Sequence, residues 1–251
     1  MLTKIEELIE QADETENESE RIKILTRAKK LLEDDKSDEK EYFMYAVTFR
    51  MACAYFVQGK YPEARFECEA SLNYAEEAED IDDIKILYYR ILIELGEWQK
   101  ILALTMKDEA HGLAWGYARL IAAWMSTGGR NLPVCSNMFW DALILSPDVP
   151  FYMLGYYDEP EDEDEHVDFE FAMMYLDAIG ISEELQQWFT RGTILFGLLT
   201  NRFDGREREY MLDVLDTLGG YDEYEKMSGI LLESDDEAVI EALAANKCLS
   251  R

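Results

Sequence analysis

A short phrase recurs along this 251-residue chain and constrains its fold more than any other feature. In CAYFVQGKYPEARFECEASL, residues 53–72, an aromatic stands three places before Gly59 and Tyr61 two places after it. In LIELGEWQKIL, Gly96 stands two residues before Trp98, and the two glycines are 37 residues apart. A looser copy, RLIAAWMSTGGRNLPVCSNMFWDALILSP, has Trp124 four residues before Gly128 and ends in Ala142, Leu143 and Pro147. A fourth, LDVLDTLGGYDEYEKMSGILL, puts Gly219 two residues before Tyr221. Each reads as a helical hairpin. Glycine takes the positive φ at a helix C-terminus without steric cost, and Pro62 suits the first turn of the helix that follows. Tyr45, Thr48, Ala52, Tyr55 and Phe56 share one face of a first helix, and Ala64, Cys68 and Leu72 continue at i, i+4, i+8 on the second. Each hairpin buries one face, so a continuous core requires stacked neighbours.

The rest of the chain is helical in pattern too. Residues 2–12 and 18–33 read as two helices, the second with Ile22, Leu25, Ala28, Leu31 and Leu32 in one apolar stripe. EDDKSDEK follows as a solvated connector. Pro147 and Pro150 are expected to stop the helix before them and hold the chain extended, with Tyr152, Leu154 and Tyr156 along one edge. EELQQWFTRGTILFGLLTNRF reads as a buried helix, and three short helices finish the chain. No strand pattern competes, so the expected class is all-α. The expected divisions are an N-terminal helical pair at 1–37, repeats at 38–147, an extended segment with an acidic loop and a helix at 148–182, and a C-terminal helical cap at 183–251.

The glycine-aromatic turn, the small residue after it and a period of about 34 residues resemble the tetratricopeptide repeat. Ala52, Tyr55, Gly59, Tyr61, Ala64 and Leu72 fit that pattern in the first clear unit. Leu92, Gly96 and Trp98 fit it in the second, and Leu120, Trp124, Gly128, Ala142, Leu143 and Pro147 in the third, so the likeness covers about residues 40–147. It implies a solenoid whose first helices line a concave groove. A narrower likeness covers residues 139–188: FWDALILSPDVPFYMLGYYDEP, continuing into FEFAMMYLDAIGISEELQQWF, resembles a segment of the suppression-of-tumorigenicity-7 protein family. That resemblance implies a repeat followed by an extended cap and implies no chemistry.

Charge narrows the partners. Fifty-four acidic residues against 24 basic ones give a formal net charge of −30. Such a chain repels phosphate backbones and anionic lipid. It favours either a basic protein partner, whose encounter complementary fields accelerate, or simple solubility. Cys53, Cys68, Cys135 and Cys248 are widely spaced and read as reduced thiols. The N-terminal stretch lacks a signal-peptide apolar core, and no apolar run approaches the roughly 20 residues of a membrane span. The expected location is cytoplasmic.

No catalytic, metal or cofactor site is expected. His111 and His166 lie in different segments without metal-ligand spacing. STGGR, residues 126–130, lacks the Lys-Ser/Thr of a phosphate loop and reads as a turn. Two surfaces remain. Nine carboxylates fall between Asp158 and Glu170, and Asp158, Glu159, Glu161, Asp162, Glu163, Asp164 and Glu165 form an acidic patch. It reads either as a solvated loop or as a dock for a basic partner. The tetratricopeptide likeness implies a groove lined by Phe49, Arg50 and Phe56, then Arg90, then Trp115 and Arg119, where arginines grip carboxylates and aromatics anchor a peptide. The competing reading pairs these arginines with the protein's own acids. The expected function is a non-enzymatic scaffold that binds a protein or peptide in the groove. The alternative is an acidic inhibitor or immunity-type protein that occludes a basic partner with its negative surface.

Overall fold

A computed structural model describes residues 2–74, 81–106, 113–161, 166–229 and 234–250, and among them the backbone forms helices and turns without a β-strand. The chain divides into two compact units, residues 1–97 and 98–251. The division falls inside the 38–147 stretch read as one array.

The first unit holds α1 (Leu2–Asp13), α2 (Glu18–Glu33), α3 (Lys40–Val57), α4 (Tyr61–Leu72) and α5 (Ile81–Glu94). The side chain of Asn17 caps α2 by accepting from the backbone N–H of Ser19 and Glu20, satisfying donors that a helix start leaves orphaned. Arg21 closes the preceding turn by donating to the carbonyls of Ala12 and Thr15 at the end of α1. Each helix then packs on the next, and α3 also touches α5. The core joins Ile5, Leu8 and Ala12 of α1 to Ile24, Leu25, Ala28 and Leu32 of α2 and to Phe43, Met44, Val47 and Met51 of α3.

The hairpin turns repeat in geometry as well as in sequence. After α3, Gly59 has φ +67°, its N–H donates to Phe56 O, and the N–H of Lys60 reaches back to Tyr55 O. After α5, Gly96 also has φ +67°, with matching bonds from Gly96 to Ile93 O and from Glu97 to Leu92 O. These bonds satisfy the last carbonyls of each helix, and only the left-handed backbone brings both N–H groups into range.

The second unit holds α6 (Trp98–Thr105), α7 (Leu113–Thr127), α8 (Leu132–Leu145), α9 (Val149–Met153), α10 (His166–Ile179), α11 (Glu183–Leu199), α12 (Gly205–Thr217), α13 (Tyr221–Ser228) and α14 (Asp236–Ala245). STGGR is the turn between α7 and α8, as expected. The segment beyond Pro147 differs from the expectation: Val149–Met153 is a short helix, not extended chain. Pro150 sits in its first turn, where the missing N–H has no intrahelical partner to lose. Tyr156 therefore does not share an extended edge with Tyr152 and Leu154. It joins an aromatic cluster, 5.6 Å from Phe203 and 6.4 Å from Phe151 between ring centroids.

Helix α11 is the spine of this unit, buried from Gly192 to Leu199, and it contacts α12, α13 and α14. Phe139 of α8 lies 5.6 Å from Trp188 and 5.2 Å from Phe189. The chain's last residues are tied to the same core: Trp188 Nε1 donates to Leu249 O at 3.1 Å, and Ser136 Oγ donates to Cys248 O at 2.6 Å.

Candidate protein-binding site

Four of the residues read as a groove lie in the first unit. Phe49, Cys53 and Phe56 recur at four- and three-residue steps on α3, Arg50 adjoins Phe49, and all four are half-buried, as is Arg90 on α5. Arg50 is held by Asp13 at the end of α1, with Nε 2.9 Å from Oδ1 and Nη2 3.1 Å from Oδ2. For this residue, pairing with the protein's own acid describes what is seen. Arg90 is held differently. Its guanidinium carbon stands 4.7 Å from the centroid of the Phe56 ring, and among the described residues no carboxylate pairs with it. Phe56 in turn packs against Tyr61 of α4 at 5.6 Å, and Phe49 stacks on Tyr45 at 6.0 Å. The structure thus brings Phe56 and Arg90 into contact and sets Phe49 and Arg50 along the same helix.

The remaining groove residues are placed otherwise. Arg119 is half-buried on α7 of the second unit. Trp115 lies on α7 as well, with its side chain outside the described residues.

Cys53 sits beside Arg50 on the candidate face. Burial pushes its thiol up to about 11, against the opposing pull of Arg50. The neutral thiol is the stable form there, so Cys53 contributes a small apolar contact rather than a nucleophile.

The acidic patch is described in part. Asp158, Glu159 and Glu161 are exposed; Asp162, Glu163, Asp164 and Glu165 lie outside the described residues. A longer feature of the sequence gains meaning from the fold: from Asn131 to Thr190 there is no Lys or Arg, while fourteen carboxylates fall in the same stretch. Within it, α10 leaves large apolar side chains in solvent. Reading the chain for buried stripes missed this face, although Val167, Met173 and Leu176 at six- and three-residue steps mark it.

Among the described residues no three His, Cys, Asp or Glu side chains stand close enough to hold a metal ion. His111 and the side chain of His166 lie outside the described residues. A cleft of about 510 Å³ in the second unit mixes Arg191, Lys226 and Lys247 with Asp222 and Glu223. Burial pushes its thiol, Cys248, up to about 11. No family model, no curated protein and no solved structure matches the chain.

Proposed function

We propose that the chain is a non-enzymatic protein-interaction scaffold built of tetratricopeptide-like hairpins. Its first unit would grip an acidic peptide segment on the face formed by Phe49, Arg50, Phe56 and Arg90. The observation that carries this reading is Arg90. In a chain with 54 acids and 24 bases, a half-buried arginine without a carboxylate partner among the described residues is uncommon; Arg208 is another, but its guanidinium is taken by Leu198 O and the Tyr224 hydroxyl, whereas Arg90 has the Phe56 ring. With its guanidinium carbon over the Phe56 ring, Arg90 would be held in place while its N–H donors remain for a planar anion. A carboxylate that met that edge would make charge-assisted, bidentate hydrogen bonds, and Phe49 and Phe56 would supply apolar contact beside it. The serial packing of α1 to α5 supports the hairpin-array part of the proposal, because only stacked hairpins present consecutive first helices on one side.

A selection of displayed random peptides on the whole protein tests this reading. The wild type is expected to enrich peptides with Asp or Glu next to an apolar residue. Arg90→Ala is expected to weaken the best of them by about tenfold, the worth of one hydrogen-bonded charge pair, and Arg90→Lys to restore only part. Equal binding by the wild type and Arg90→Ala sinks the proposal.

The alternative, occlusion of a basic partner by the negative surface, is favoured by one observation: the absence of Lys and Arg from 131 to 190. Binding through exposed charge collapses as salt shortens the screening length, whereas contacts anchored on Phe49 and Phe56 persist. Repeating the selected interactions at low and high salt separates the two.

A further inference from the structure

We infer that the outer face of α10 is a docking surface for a basic amphipathic helix of another protein. Helix α10 turns Ala172, Tyr175, Ala178 and Ile179 inward, where it packs on α7 and α9. The opposite side carries large apolar groups in solvent. Val167 is 50% exposed, Met173 39%, Leu176 43%, and Ile181 just past the helix end 50%. Single exposed hydrophobics are ordinary on protein surfaces, but Met173 and Leu176 stand one turn apart on one flank of α10, with half-buried Phe169 a turn before them, and together form an apolar strip of a kind that marks contact sites.

The charge around the strip selects the occupant. At 100° per residue, Glu170 and Asp177 run down the exposed side with Met173 and Leu176 to one flank and Val167 to the other. Both acids are exposed, neither α9 nor α10 carries a Lys or Arg, Arg119 is the one basic residue of α7, and no ion pair among the described residues takes Glu170 or Asp177. A second copy of this chain would bring the same carboxylates face to face, which like-charge repulsion opposes. Nucleic acid and anionic lipid carry the wrong sign. A purely apolar partner would strip water from Glu170 and Asp177 and return nothing. A helix with apolar residues at i, i+3, i+4 and i+7, flanked by Lys or Arg, answers both the strip and the acids. The 14 residues of α10 span about 21 Å, which sets the occupant at a comparable length. Methionine suits such a surface because its flexible thioether repacks against varied side chains.

This surface lies in the second unit and shares no residue with the Phe56–Arg90 face, so either reading can fail without the other. The test titrates the full-length protein with a fluorescein-labelled Leu/Lys peptide designed as an amphipathic helix, and with a scramble of the same composition that has no apolar face. The helical peptide is expected to bind at least about tenfold more tightly than the scramble. Met173→Ser with Leu176→Ser should weaken it by about tenfold at both low and high salt, as loss of two buried apolar contacts requires. Glu170→Gln with Asp177→Gln should weaken it chiefly at low salt. Hydrogen exchange should slow in α10 when the peptide binds. All four side chains are exposed, so the variants should keep their helices, which circular dichroism checks. Equal binding of helix and scramble overturns the proposal, because it reports charge alone. So do an unchanged affinity in the double Ser variant, protection confined to another helix, and a peptide-free dimer that the double Ser variant dissociates.

Discussion

Gly197 stands inside a buried helix, where glycine costs about 1 kcal/mol relative to alanine, so its place in α11 needs a packing reason. A Cβ built there would lie 2.6 Å from Phe203 Cε2 and 2.8 Å from Phe151 Cε1. Both are ring atoms of buried residues that cannot swing aside as a flexible chain end does. Gly197→Ala therefore gains helix propensity and loses more to overpacking, with an expected net destabilisation of about 1–2 kcal/mol in urea unfolding. Unchanged or raised stability would show that the rings shift freely. The cysteines make a second residue-level case. Burial is the leading cause that raises Cys53, Cys135 and Cys248 to about 11, and it raises Cys68 further. Because the thiolate is the form disfavoured on folding, reactivity at pH 8 falls with the thiolate fraction. The native thiols should react with a disulfide reagent about a hundredfold more slowly than ordinary ones, and all four should react at ordinary rates in denaturant. A fast-reacting native thiol would contradict the burial.

Between elements, the tie that most deserves breaking joins α2 to α4. Lys29 Nζ lies 2.6 Å from Glu67 Oε2, with the lysine side chain 19% and the glutamate side chain 9% exposed. Lys29→Met leaves a buried carboxylate without its counter-charge and is expected to cost about 2–3 kcal/mol, whereas Lys29→Met with Glu67→Leu removes both desolvated charges and should recover most of the loss. Equal damage in the single and double variants would mean that shape, rather than charge, is what the pair supplies. That tie spans 38 residues, and nothing in the local pattern announces it. Local signals did carry far: the apolar period set α1 and α2, the glycines set the hairpin ends, and the run after Ser182 marked α11 as buried. Pro150 misled, because a proline that ends one helix also opens the next, and one turn of helix leaves no periodicity to read. For the candidate face, the tetratricopeptide likeness set Phe49, Arg50 and Phe56 on α3. That Asp13 takes Arg50 while Arg90 rests on a ring depends on which helices stack, which spacing along one helix does not contain.

At the scale of the whole molecule, charge is the term that most separates this chain from an ordinary helical protein. The first unit carries 25 acidic and 13 basic residues and the second 29 and 11, so neither can neutralise the other. Several of the acids that do find partners are bound at the surface, as Asp13 by Arg50 and Glu20 by Lys23, and such pairs contribute about 0–1 kcal/mol each. Against them stands the repulsion of a formal −30, which a compact fold concentrates and an unfolded chain relaxes. The two respond to salt with opposite signs. Raising ionic strength from about 0.01 M to about 0.1 M shortens the screening length from about 30 Å to about 10 Å, which weakens exposed pairs a little and long-range repulsion a great deal. The better-buried bridges, Lys29 to Glu67 and Arg202 to Asp148 and Asp236, are screened least. Stability should therefore rise with salt, by about 1 kcal/mol or about 2–4 °C in the melting midpoint, and equally in sodium and potassium chloride, since screening ignores ion identity. A midpoint that fell with salt would mean that ion pairs, not repulsion, dominate the electrostatics. A rise specific to one cation would point to site binding instead of screening.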